Sequence, residues 1–167
     1  MKNDTQKPKH ECGLDNCFDQ VVQFQRVFKN PVSEEPFPLS DGRLAVRVKY
    51  LREEVNELAN ARTLEAQCDA LIDVIYFALG GFAETGIRPQ AIFEIVHNAN
   101  MKKLFSDGEP RHRVIDGKVA KPPNWQSPET LIRREIDRQT RAFSNNEAQA
   151  PVINNHLMVK RPKSRTG

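Results

Sequence analysis

Between residues 64 and 84 the chain reads LEAQCDALIDVIYFALGGFAE, a stretch apolar on nearly every side whose interior carries only two charges, Asp69 and Asp73. Leu71, Ile72, Val74, Ile75, Phe77, Ala78 and Leu79 leave no polar face, which predicts a helix lying in the middle of a bundle. A carboxylate buried there without a partner costs several kcal/mol, about the scale at which a group changes its protonation instead. Asp69 and Asp73 sit one turn apart, so whatever satisfies one lies near the other. Lys49, Arg52 or Lys103 could do so as plain salt bridges. A cation shared with other acids is the alternative.

The preceding segment supplies those acids. Leu44, Val48, Leu51, Val55 and Leu58 follow the 4-3-4-3 spacing of a bundle seam and predict a helix over 43–61. At about 100° per residue, Glu57 lies about 40° from Glu53 and 60° from Glu54, so all three share one flank away from the seam. An acidic run of this kind is often a solvated face. Opposite two aspartates, with no matching row of bases, it becomes an oxygen-rich cluster that suits Mg²⁺ or Mn²⁺ better than zinc or copper.

Other elements complete an all-α reading with a four-helix core. Val21, Val22, Phe24, Val27 and Phe28 recur at helical spacing over 16–29, and Asn30-Pro31 ends that helix. Pro89 opens a fourth helix to about residue 105, with Ile92, Ile95, Val96 and Ala99 as its stripe. Two strand-like runs around Asp116-Gly117 predict a small β-hairpin appendage over 111–121. Ser127-Pro128-Glu129 begins a polar C-terminal helix to about residue 141. Residues 1–15 read as a flexible N-terminus, 16–144 as the folded domain and 145–167 as a basic tail without the makings of a core.

Glu53-Glu54-x-x-Glu57 followed by Asp73 resembles the EExxE…ExxD signature of the all-α NTP pyrophosphohydrolases, the MazG-like group related to dimeric dUTPases. Asn100-x-x-Lys103 and the DGK…KPPNW segment are similar to a bacterial and phage branch, and the likeness runs from about residue 24 to 125. The acid usual three positions before the aspartate is Ala70 here, with Asp69 beside it. The resemblance implies that Glu53, Glu54, Glu57 and Asp73, with Asp69 as a further candidate, hold Mg²⁺, for which Mn²⁺ substitutes. It makes Glu54 the general base for a water attacking a nucleoside triphosphate, releasing the monophosphate and pyrophosphate.

Lys103 falls within about 20° of Ile92 on the fourth helix, with Asn100 at the stripe's edge. Lys103 either snorkels out or reaches phosphates. Lys121 and Arg47 are further phosphate candidates. Phe24 and Phe28, four residues apart, either stack a base or belong to the core. Gln25 offers edge reading, and Trp125 another stacking surface. Such a pocket suits a purine, dGTP or dATP, with dUTP and phosphoribosyl-ATP as alternative substrates.

A non-catalytic helical protein binding nucleic acid or another partner through the basic tail is the rival class. Across 167 residues the net charge is +3, which argues against nucleic acid as the main partner. Three cysteines, Cys12, Cys17 and Cys68, do not make a disulfide framework, and His10 with Cys12 and Cys17 lacks a second ligand pair for zinc. No uninterrupted apolar run approaches the roughly 18 residues of a membrane span, and no signal-like stretch opens the chain, so a cytoplasmic protein is expected. The fully apolar third helix needs more cover than one chain supplies, which predicts a homodimer or homotetramer.

Overall fold

The computed structural model describes residues 13–149, and these form five helices. They are α1 (Leu14–Val27), α2 (Asp41–Asn60), α3 (Leu64–Thr85), α4 (Gln90–Met101) and α5 (Glu129–Gln149). Residues 1–12 and 150–167, which hold most of both expected tails, lie outside the described residues. α5 continues through Gln149, past the boundary expected at residue 144.

Local chemistry fixes the helix ends. Ser40 caps α2, its hydroxyl accepting from the Arg43 amide at 3.5 Å, and Thr63 caps α3 by accepting from Ala66 at 3.2 Å. α3 stops at Gly86, whose φ of 67° is left-handed and whose added Cβ would run into the Glu35 carbonyl oxygen. Past α1, Asn30 donates its amide to the Gln25 carbonyl at 2.8 Å and Pro31 starts the loop. That loop is tied to the end of α3 by Ser33 to Ala83 at 2.9 Å and Phe37 to Thr85 at 3.1 Å.

α3 packs on both α1 and α2, while α4 packs on α5. Phe18, Val21, Leu79 and Ala83 form a small core between α1 and α3, bordered by Leu14, Tyr76 and Phe82. α4 starts beside α1, where Gln90 accepts from the Leu14 amide at 2.6 Å and Arg88 pairs with Asp15 and Asp19, each at 2.9 Å.

Three expectations need correction. Residues 111–121 form a turn with one isolated bridge, His112 to Val119, and no strand. Val114 and Ile115 are fully exposed there, so nothing covers a second layer, and a lone two-stranded ribbon is at best marginal in water. α3, expected deep inside a bundle, instead leaves Leu71 50%, Ile72 60% and Ile75 49% exposed. α3 is also long and apolar enough, by length and composition, to cross a membrane. Against a span stand Asp73 and Glu84, which α3 turns toward the polar side of α2.

Candidate active site between α2 and α3

The helices α2 and α3 meet through their polar sides. On α3, Leu64, Leu71, Ile75 and Ala78 fall within roughly a 60° arc, opposite Asp73, Gly80 and Glu84. On α2 the buried charged residues are Arg47 and Glu54, about a quarter-turn from the apolar seam, and Leu44, Val48 and Val55 of that seam stay half-exposed. Between the two helices and α1 lies a cleft of about 610 Å³.

Its floor is a closed polar network. The Glu84 carboxylate, 2% exposed, accepts from Arg47 at 2.5 and 2.9 Å and from Arg43 at 2.5 and 2.9 Å. Burial pushes that carboxyl up, but the hydrogen bonds and charges of Arg43 and Arg47 prevail and hold it below the usual carboxylate range. Arg47 also donates to the Gln25 side-chain oxygen at 3.1 Å, while Gln25 Nε2 donates to Gly80 O at 3.2 Å and Pro31 O at 3.1 Å. Both amide hydrogens of Gln25 are therefore used within the chain, and Arg47 is held by Glu84. Both residues shape the floor rather than presenting free donors to a base or a phosphate.

Two aromatic pairs stand above the floor. Phe24 meets Tyr76 edge-on at 5.5 Å between centroids, and Tyr50 lies 5.3 Å from Phe77. All four line the cleft; Phe28, packed 4.5 Å from Phe24, does not. Tyr50, Tyr76, Phe77 and Glu84 were missed in the sequence reading. Helical spacing could have found them, because Tyr76 lies one turn after Asp73 and Tyr50 one turn before Glu54.

Glu53, Glu54 and Asp73 line the same cleft. Glu54 is 9% exposed and its carboxyl is raised, first by burial and then by the charges of Glu57, Asp73, Glu53 and Asp69. Every acid singled out in the sequence thus acts on this one group. Glu53 also pairs with Lys49 at 3.7 Å, and Glu57 and Asp69 are exposed at the margin. Among the described residues no three acids, histidines or cysteines stand close enough to clasp an ion as they lie. The donor set is nevertheless all carboxylate oxygen, as a hard divalent cation requires.

The remaining candidates gather elsewhere. Lys121 Nζ lies 4.2 Å and Lys103 Nζ 5.7 Å from the Trp125 ring centroid, and Trp125 Nε1 donates to Ala99 O at 2.7 Å. None of these lines the acidic cleft, nor does Asn100.

The profile of the phosphoribosyl-ATP pyrophosphohydrolase family matches residues 21–100, the span from within α1 to the end of α4 that holds every acid around Glu54. A candidate NTP pyrophosphohydrolase from Exiguobacterium sp. 255-15, among the solved structures, is 29% identical over 76% of this chain and 97% of its own, with a TM-score of 0.44. No curated protein matches. The matched helices and the acids they carry are what this chain shares with the phosphoribosyl-ATP pyrophosphohydrolase family, over just under half of its length.

Proposed function

We propose that the protein hydrolyses a deoxynucleoside triphosphate, preferring dGTP or dATP, to the monophosphate and pyrophosphate with Mg²⁺. The observation that carries this reading is the cleft itself, where Glu53, Glu54 and Asp73 line the same space as Phe24, Tyr50, Tyr76 and Phe77 and Glu54 is buried. Glu53, Glu54, Glu57 and Asp73 would hold the ion, with Asp69 at the margin. The ion, when bound, supplies positive charge against that of the triphosphate.

Glu54 is the acid suited to take a proton from the attacking water, because it is the buried carboxylate of the group and lines the cleft. Phe24, Tyr76, Tyr50 and Phe77 offer faces for a base, and a purine presents more area to them than a pyrimidine. Beneath them lies the polar floor of Glu84, Arg43, Arg47 and Gln25. Because the apolar rows of α2 and α3 face outward, a second copy of the chain is the partner that fits them, in a homodimer or homotetramer.

Pyrophosphate release from a panel of deoxynucleoside triphosphates and phosphoribosyl-ATP, with and without Mg²⁺, tests the reading. Release is expected for the purines, dependent on Mg²⁺ and abolished in Glu54→Gln with the helical content unchanged. Near wild-type turnover in Glu54→Gln would remove the residue from the mechanism. Faster turnover of dUTP or phosphoribosyl-ATP would overturn the purine assignment.

A further inference from the structure

A second cleft, larger than the acidic one, lies apart from it among the described residues. It measures about 1150 Å³ and lies between α4 and the start of α5. Its bed is apolar, with Ile95, Leu104 and Leu131, and Trp125 forms part of one side. The charged groups on its lining are Lys102 and Arg134, and the lining contains no aspartate or glutamate. Lys103 and Lys121 add positive charge against the indole, which its hydrogen bond to Ala99 holds in place. Asn98, Asn124 and Gln126 bring side-chain amides to the same surface.

The geometry points to a second ligand site here, for a nucleoside monophosphate. A ring of that ligand has an indole and an apolar bed to lie on, and its polar edge has amides that both donate and accept. Its phosphate meets two cations with no carboxylate to repel it. A metal–triphosphate complex fits less well, because the lining offers its ion no oxygen-rich acids. The class of ligand rests on the proposed reaction, of which a nucleoside monophosphate is a product. The site itself rests on the cleft.

Trp125 is the only tryptophan in the chain and lines this cleft, so its fluorescence is the probe of it. The experiment titrates metal-free protein with dGMP, corrected for nucleotide absorbance, in wild type, in Glu54→Gln and in Lys102→Gln/Arg134→Gln. Saturable quenching is expected in the first two, with affinity about tenfold or more weaker in the double variant, since two charge-assisted contacts are removed. Pyrophosphate release in the double variant should stay at the wild-type rate when product is scarce.

Absence of quenching in the wild type would overturn the site. So would equal quenching by inorganic phosphate, which lacks the ring, or quenching that survives in the double variant. Quenching lost in Glu54→Gln would mean that Trp125 senses the acidic cleft and that there is one site. None of the quenching arms requires turnover, so failure of the proposed reaction leaves a different signature: no pyrophosphate, with quenching intact.

Discussion

Gly80 and Gly81 are neighbours within α3, and Ala at either position would ordinarily stabilise the helix by about 1 kcal/mol. The structure separates them. A Cβ at Gly81 meets nothing within 4 Å, whereas one at Gly80 falls 2.5 Å from Arg47 Nη1 and 3.1 Å from its Cζ. The end of an arginine usually gives way, but this guanidinium is held by Glu84 at 2.5 and 2.9 Å and by Gln25 at 3.1 Å. Moving it loosens charge-assisted bonds worth roughly 1.5–3 kcal/mol each and leaves buried Glu84 with Arg43 as its remaining partner. Against a propensity gain of about 1 kcal/mol, Gly80→Ala should be destabilising by about 2 kcal/mol. For a chain of this size that lowers Tm by about 6 °C, while Gly81→Ala raises it by about 3 °C. Urea unfolding and thermal melts of the two variants measure the difference. A Gly80→Ala protein as stable as Gly81→Ala would show that the floor network is not rigid and refute the argument.

Glu84→Gln leaves two guanidinium groups facing each other without a counter-charge and should cost about 3 kcal/mol at neutral pH. Because the folded-state Glu84 carboxyl is depressed, its stabilising contribution is present above the unfolded carboxylate range and is lost as pH falls through the folded value. The gap between wild type and variant should therefore narrow in acid, and a gap that widened would reverse the assigned sign. Leu71→Glu, at the centre of the outward apolar row of α3, should convert an oligomer to a monomer in sedimentation equilibrium. An unchanged mass would move the interface elsewhere.

The sequence made some of this legible and hid the rest for identifiable reasons. Capping chemistry at Ser40, Thr63 and Gly86 is local, so it marks helix ends without reference to packing. The acids were legible as a group because charge inside an apolar helix is costly wherever the helix lies. Arg47 looked like a free donor because its partner, Glu84, was read as the end of α3 rather than part of its inner face, and Gln25 because its partners, Arg47, Gly80 and Pro31, lie on three different segments. Asp73 and Glu84 are eleven residues apart, about three turns, and so share a face; following that face to the end of the helix would have shown a further acid there, the one that α3 buries. The segment around Asp116-Gly117 had the residues of a hairpin turn, and the turn forms, with Arg113 paired to Asp116 and Gly117 at a φ of 67°. What its sequence could not supply is a surface to lie on.

The orientation of α2 and α3 connects site and assembly. In a simple bundle each helix buries its apolar row, and its acids end up at the solvent. Here the polar rows meet instead, because Glu84 gains Arg43 and Arg47 only if α2 turns that side inward. The same rotation brings Glu54 under cover among like charges, which is what raises its carboxyl. Each helix is then left with an apolar row directed outward, and the small α1–α3 core cannot cover both. The proposed chemistry inside the chain and the proposed association outside it would both follow from one choice of helix rotation. A substitution that turned α2 back toward an ordinary seam would expose Glu54 to water and remove the reason for a partner in the same step.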